Sequence, residues 1–245
     1  MGLLVSIITV SYNSEKTIER TIESVLNQTY QNIEYIIVDG ASKDHTVEIA
    51  EQYRNQFEAS GRIMTIISER EHGMYDALNK GASIAHGELV GQVNTDDWYE
   101  PGAVEKMVKF YEKENFDIAW ANILIHKSSG NIVKKAKIGK LWTTAGFCHP
   151  AMYSKRTILL KYPYACRAMD DDFDMVTRAY RDGVKIRTLN EVISNYSFGG
   201  MSTEKSFKKM LFRIRMKYAT YRRNGFSPLY WFCCVAIELA KYVLG

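Results

Sequence analysis

The stretch Leu89-Val90-Gly91-Gln92-Val93-Asn94-Thr95-Asp96-Asp97-Trp98 closes a short apolar run on two adjacent carboxylates. Such a run reads as a buried strand, and in an open parallel sheet ligands bind outside the carboxyl ends of the strands. Two hard oxygen ligands there can hold Mg²⁺ or Mn²⁺, and such a cation can neutralise a nucleotide diphosphate. An Asp-Asp N-cap for the helix expected near Pro101 would use the same residues for no chemistry at all. Two further carboxylate sites favour the metal. Asp39 ends an upstream apolar run, and Asp170, Asp171, Asp172 and Asp174 open a downstream helix. Acids suit any first helical turn, but four within five positions exceed what capping needs.

The elements that must position these groups repeat one theme. Leu4 to Val10, Ile33 to Val38, Ile63 to Ser68 and the run ending at Asp96-Asp97 read as strands, with a fifth from Ile118 to Ile123. Between them lie helical patterns: Ile18, Ile22, Val25 and Leu26; Val47, Ala50, Tyr53 and Phe57; Met74, Leu78, Ala82 and Ala85, stopping near Gly87. Strands alternating with helices predict an α/β fold, doubly wound, with a mostly parallel sheet covered by helices on both faces.

With 245 residues and 46% of them apolar, the chain can build one large domain with an appendage. A net charge of +4 is too small to indicate nucleic acid. Cys148, Cys166, Cys233 and Cys234 show neither metal spacing nor a disulfide framework, and read as reduced intracellular thiols. Met1-Gly2 leads straight into the first strand, which leaves no room for a signal peptide.

The segments Ser6 to Asn13, Ser24 to Tyr30, Glu34 to Asp44, Gly73 to Gly81 and Asn94 to Trp98 follow one another in a known order. The chain resembles the GT-A-type glycosyltransferases of family 2, inverting enzymes that use nucleotide-sugars. Weaker similarity continues through His149-Pro150, Asp170 to Asp174 and Gly199 to Ser202, to about residue 203.

The resemblance implies roles residue by residue. Thr9 and Tyr12 look like base-contacting positions. Ser11 and Asn13 share the first strand-to-helix turn, where backbone N–H groups favour a polar or anionic ligand. Asp39 is implied to take the base, and Glu69 and Asp76 to line the nucleoside pocket, while Asn79 and Lys80 cap and solvate their helix. Thr95 stands where the family commonly has an acid, so the metal rests mostly on Asp97, with Asp96 nearer the ribose. Asp172-Phe173-Asp174 resembles the motif whose first acid is the catalytic base; Asp174 then supports the helix, and Asp170 and Asp171 are partly solvated. His149 could touch the diphosphate, the acceptor or a neighbouring carboxylate, or be a hydrogen-bonded structural residue. Trp98, Asp171 and Gly200 are further candidates on the acceptor or diphosphate side, Gly199-Gly200 as a lid.

Ser128 to Asn131 is a turn signal between Ile123-Leu124-Ile125 and Ile132-Val133, hence a hairpin. From Lys205 to Arg223 there are eight Lys or Arg and no acid, with Phe207, Leu211, Ile214 and Tyr218 expected on one face. An aromatic and aliphatic segment follows to Leu244. Such a tail fits an anionic membrane surface, or else packs on the core. The resulting expectation is a GT-A catalytic domain over 1–203, with 1–123 the nucleotide-sugar half and 124–203 the acceptor half, and a helical extension over 204–245. It would transfer a sugar from a UDP-sugar, with Mg²⁺ or Mn²⁺, to a saccharide, lipid-linked at the inner face of a bacterial membrane, for cell-surface polysaccharide. The competing class is a non-catalytic nucleotide-sugar binder or assembly scaffold of the same fold.

Overall fold

The computed structural model describes residues 2–138, 144–167, 170–199 and 206–244. Its first half is built of β1 (Val5–Ser11), α1 (Ile18–Leu26), β2 (Ile33–Asp39), α2 (Thr46–Gln52), α3 (Arg54–Ala59), β3 (Ile63–Ser68), α4 (Met74–Ile84), β4 (Leu89–Gln92), β5 (Trp98–Tyr99) and α5 (Ala103–Glu114). There follow β6 (Ile118–His126), β7 (Ile132–Lys134), β8 (Met152–Lys155), α6 (Arg156–Lys161), α7 (Asp171–Arg181), β9 (Ile186–Ser197), α8 (Phe207–Arg223) and α9 (Tyr230–Leu244).

The sheet runs β3-β2-β1-β4-β8-β6-β9-β5, with β7 paired to β6. Strands β1 to β4 are mutually parallel, as the alternating pattern requires. The order reverses at β1, which has β2 on one side and β4 on the other; a crevice for ligands opens outside the carboxyl ends at such a point. Beyond β4 the sheet is mixed. The short strand β8 enters antiparallel between β4 and β6, and only β9 then runs parallel to β6. The expected hairpin forms as β6 and β7, with Leu124 opposite Val133.

Several expectations shift. The fourth strand stops at Gln92, short of its carboxylates, because Asn94 to Asp97 form a turn closed by Asp97 N–H to the Asn94 carbonyl at 3.1 Å. The second helix is divided at Tyr53, whose hydroxyl bonds Glu19 and Glu23 of α1 at 3.0 and 3.2 Å. Met74 is exposed, and α4 buries Tyr75, Ala77, Leu78 and Ala82 instead. Gly91 lets β4 pass under Tyr153, since a Cβ there would meet the ring at 2.6 Å.

Helix α8 divides the expected apolar face between solvent and core. Phe207 and Leu211 are exposed, while Met210, Ile214, Lys217 and Tyr221 are buried, a stripe at helical spacing. It packs on α7 and pairs with α9. Between α8 and α9 the Glu238 carboxylate is buried against Lys217 Nζ at 2.6 Å and Arg213 Nε at 2.8 Å. Burial alone would raise this carboxyl; Lys217, Lys241 and Arg213 outweigh it and hold it down to about 2. The four cysteines are free thiols.

Candidate active site

The carboxyl ends of β1, β2 and β3 lie in register, with Ser11 beside Asp39 and Asp39 beside Ser68. Asp39 is buried, and hydroxyls surround it: Ser11 Oγ at 2.8 Å, Ser42 Oγ at 2.5 Å and Ser68 Oγ at 2.7 Å, with Ser42 N–H at 2.8 Å. A carboxylate offers about four acceptor positions, so these donors fill it. Ala41 at φ 60° and Asn13 at φ 49° bend the two strand ends toward each other. Asn13 Oδ1 accepts from Lys43 N–H at 2.9 Å and Ser42 Oγ from Asn13 N–H at 2.8 Å, which locks the two turns together. Tyr12 is exposed above Gly40, an open ring face at the rim. Thr9 is not at this rim. It is wholly buried, two residues inside the strand end, and accepts a bond from Tyr35 Oη at 3.0 Å.

Asp96 and Asp97 follow the β4 turn. Asp97 is 0% exposed; its Oδ1 accepts from Ser197 N–H at 3.0 Å, and its Oδ2 has no hydrogen-bond partner among the described residues. Burial, then the Asp96 charge, lift the Asp97 carboxyl well above the usual range, against Ser197 and Arg20. Asp96 is only partly buried, and burial raises it too. Arg20 of α1 closes this corner. Its Nη2 reaches the Asp96 carbonyl at 3.0 Å, and its guanidinium stacks 3.6 Å over Trp98. Trp98 also meets the His126 ring at 4.7 Å, so this tryptophan is held in place by neighbours on α1 and β6.

On the other side stands Asp172, in the first turn of α7. Tyr75 Oη donates to its Oδ1 at 3.2 Å, and His149 Nδ1 lies 3.9 Å from its Oδ2. His149 Nε2 donates to Gln92 Oε1 at 2.9 Å, and Tyr164 Oη donates to the same oxygen at 2.9 Å. Burial lowers the His149 imidazole, with Asp172 opposing. A neutral ring that donates from Nε2 turns its Nδ1 lone pair toward Asp172. Gln92 ends β4, so a chain of contacts joins that strand to Asp172 at the start of α7.

The remaining candidates separate. Asp171 is wholly buried and accepts from Arg167 N–H, and both Asp170 oxygens are shut from solvent, so neither acid is solvated as expected. Asp174 does support its surroundings: Arg178 Nε lies at 3.0 Å and Asn224 Nδ2 of α8 at 2.9 Å. Lys80 pairs with both Glu69 and Glu71, and Asp76 Oδ2 accepts from His72 N–H at 3.1 Å, so lysine and acids form one charged loop beside α4. Burial, then Asp76, raise the Glu71 carboxyl. Asn79 caps nothing; it exchanges two hydrogen bonds with the Tyr164 backbone, at 2.9 and 2.8 Å. Gly200 lies outside the described residues. Sequence reasoning missed Arg20, Tyr75, Gln92 and Tyr164. Arg20, Tyr75 and Gln92 sit in ordinary helical or strand patterns and Tyr164 in the loop after α6, and no spacing reveals that their side chains meet.

The donor set fits a hard divalent cation. Asp97 Oδ2 is a buried oxygen without a partner, and Asp96 is its neighbour. No group of three or more metal-binding side chains occurs among the described residues, so a bound ion would complete its shell with diphosphate oxygens and water, as Mg²⁺ commonly does.

The profile of Glycosyl transferase family 2 matches residues 6–178. A protein of Escherichia coli, the UDP-Glc:alpha-D-GlcNAc-diphosphoundecaprenol beta-1,3-glucosyltransferase WfaP, is 29% identical over 217 residues, covering 85% of this chain and 83% of that one. The chain spans from 43% to 97% of the length of the first curated relatives it matches. Among solved structures, S. aureus TarS 1-349 with UDP-GlcNAc superposes with a TM-score of 0.73 at 18% identity, over 99% of this chain and 73% of that one. The mannosyltransferase PcManGT of Pyrobaculum calidifontis, with GDP-Man and Mn2+, gives 0.69 at 18%, over 100% and 75%. These likenesses establish a GT-A fold.

Proposed function

The chain belongs to glycosyl transferase family 2, and on that basis we propose that it transfers one sugar from a nucleotide-sugar, with inversion, to a saccharide acceptor in cell-surface polysaccharide assembly. The observation that carries this reading is Asp172. It is a carboxylate held by Tyr75 at the start of α7, 3.9 Å from a His149 ring that bonds Gln92 at the end of β4, the strand that leads to Asp96 and Asp97. Residues 1–203 form the catalytic domain, with the donor on the side of 1–123 and the acceptor on the side of 124–203. UDP is the favoured nucleotide, because WfaP uses UDP-Glc and TarS binds UDP-GlcNAc. The acceptor is lipid-linked, as WfaP's diphosphoundecaprenol acceptor suggests, so the protein works at the inner face of the bacterial membrane with residues 204–245 against it.

The nucleobase meets Tyr12 and the Asp39 rim, and the ribose and diphosphate lie toward Asp96. Asp97, through its unpartnered Oδ2, and the more open Asp96 beside it would together hold Mg²⁺ or Mn²⁺. When bound, such an ion would offset charge on the departing diphosphate. Asp172 takes the acceptor hydroxyl proton as the new bond forms on the face opposite the leaving group. Tyr75 holds that carboxylate by a hydrogen bond, and the buried Gln92–Tyr164 pair holds His149 beside it.

Asp172→Asn tests the reading by keeping size and most hydrogen bonds. Turnover should fall roughly 10²–10⁴-fold while metal-dependent UDP binding persists by calorimetry. Asp96→Asn should lose the metal dependence of that binding. Turnover near wild type in Asp172→Asn would remove the base from this position.

A further inference from the structure

Helices α8 and α9 are inside out for a pair that faces water. Glu238 is 0% exposed between them, yet Phe232 is 68% exposed and Val243 71%. Leu239 lies on the same side of α9, and spacings of seven and four residues make one stripe. On α8, Phe207, Leu211 and Phe212 are exposed, and with Trp231 and Leu239 they wall an open apolar groove. Water penalises buried charge beneath exposed hydrocarbon, whereas an acyl phase favours it. Lys208 and Arg215 stand in the same wall, and the sequence has no acid from 205 to 237, so nothing there repels an anionic surface. The 15 residues of α9 extend about 22 Å, short of the ~30 Å hydrocarbon core. Among the described residues no helix is long and apolar enough to cross a membrane.

We infer that this face of α8 and α9 lies flat in the headgroup boundary of an anionic lipid leaflet. Phe212, Phe232, Leu239 and Val243 enter the acyl region, and Lys208 and Arg215 pair with lipid phosphates. The inference deepens the membrane contact in the proposed function and relies on that function only for the acceptor. The opposite side of α8 carries Asn224, bonded to Asp174 in the same helical turn as Asp172. A helix is about 10 Å across, so the base would stand on the order of one to two helix diameters above the lipid.

Flotation of the full chain with phosphatidylglycerol-containing vesicles and with phosphatidylcholine-only vesicles tests this. Binding to the anionic vesicles, weakened by salt, is expected, with a blue shift of tryptophan emission that Trp231→Phe abolishes. The double variant Phe232→Ser and Val243→Ser, both at exposed positions, should bind about tenfold or more weakly while melting like the wild type. Absent flotation, or flotation unchanged in the folded double variant, overturns the inference. So does a lipid-free dimer, seen by sedimentation velocity, that the same variant dissociates, because the face would then belong to a second copy. Donor-sugar hydrolysis in solution separates the two readings. Hydrolysis without flotation sinks the membrane face alone, and flotation without hydrolysis sinks the transferase reading alone.

Discussion

At the scale of single residues, the satisfied state of Asp39 governs what the site can refuse. A pocket rejects a wrong ligand strongly when binding it leaves a buried polar group bare. Here three serine hydroxyls and one N–H already occupy the carboxylate, so a base that offers no N–H leaves Asp39 paired. Discrimination between UDP and GDP should therefore be modest in the wild type. In Ser42→Ala with Ser68→Ala a ligand N–H can take the vacated acceptor positions, and since uracil and guanine both carry one, the affinities for UDP and GDP should rise together; unchanged affinities by calorimetry would contradict this. Asp170 is the opposite case. Both oxygens are buried without a partner among the described residues, and burial, then Asp172, raise its carboxyl to about 6 from 3.8. A raised acid favours the folded state only while protonated, so the cost grows from the ordinary range up to pH about 6 and then stays constant. Asp170→Asn should stabilise the protein by up to roughly 3 kcal/mol at neutral pH and by nothing in acid. Denaturant melts at both pH values check it. Equal melts at neutral pH would show that Asp170 is solvated.

At the scale of elements, α7 carries the proposed base on one side and fastening on the other. Asp172 faces Tyr75 and His149, while Asp174, about 200° further round the helix, bonds Arg178 and Asn224. Asp174→Ala leaves the buried Asn224 amide with the Thr220 carbonyl alone and Arg178 without its ion-pair partner, and should cost about 2–3 kcal/mol. Hydrogen exchange should then show α8 losing protection together with the first turn of α7; loss confined to α7 would mean the helices are not coupled there. The sequence made the donor-side elements legible, since Asp39, Asp96 and Asp97 end apolar runs whose helices have clean periodicity. It was less informative about α8, where aromatic and basic residues occupy both sides and any of several stripes could be taken as the inner one. Only packing on α7 selects Met210, Ile214, Lys217 and Tyr221. Strand β9 left no readable pattern because its inner and outer positions mix Asn, Glu and Ser with Ile, and Arg20 and Gln92 matter through contacts made across the fold.

At the scale of the whole molecule, the four parallel strands followed from local alternation, but the second half depends on pairings far apart in sequence. Strand β8 is four residues long and begins just after His149-Pro150. It lies between β4 and β6, and β6 itself runs through residues 123 and 124, where the donor and acceptor halves were expected to part. The halves are therefore interleaved. Residues 1–123 produced alone would carry β4 with an unpaired edge and two thirds of β6 with no neighbour on either side, a template for aggregation. That fragment should fail to give a cooperative melt and should regain one on mixing with 124–245; an independently melting fragment would show that the strands close without their inserted partner. Such an arrangement also bears on descent. An acceptor specificity encoded in the second half cannot be exchanged between relatives as a block, because any graft must rebuild the central seam of the sheet. New acceptors would then arise through change in the loops between strands, while the seam itself stays fixed.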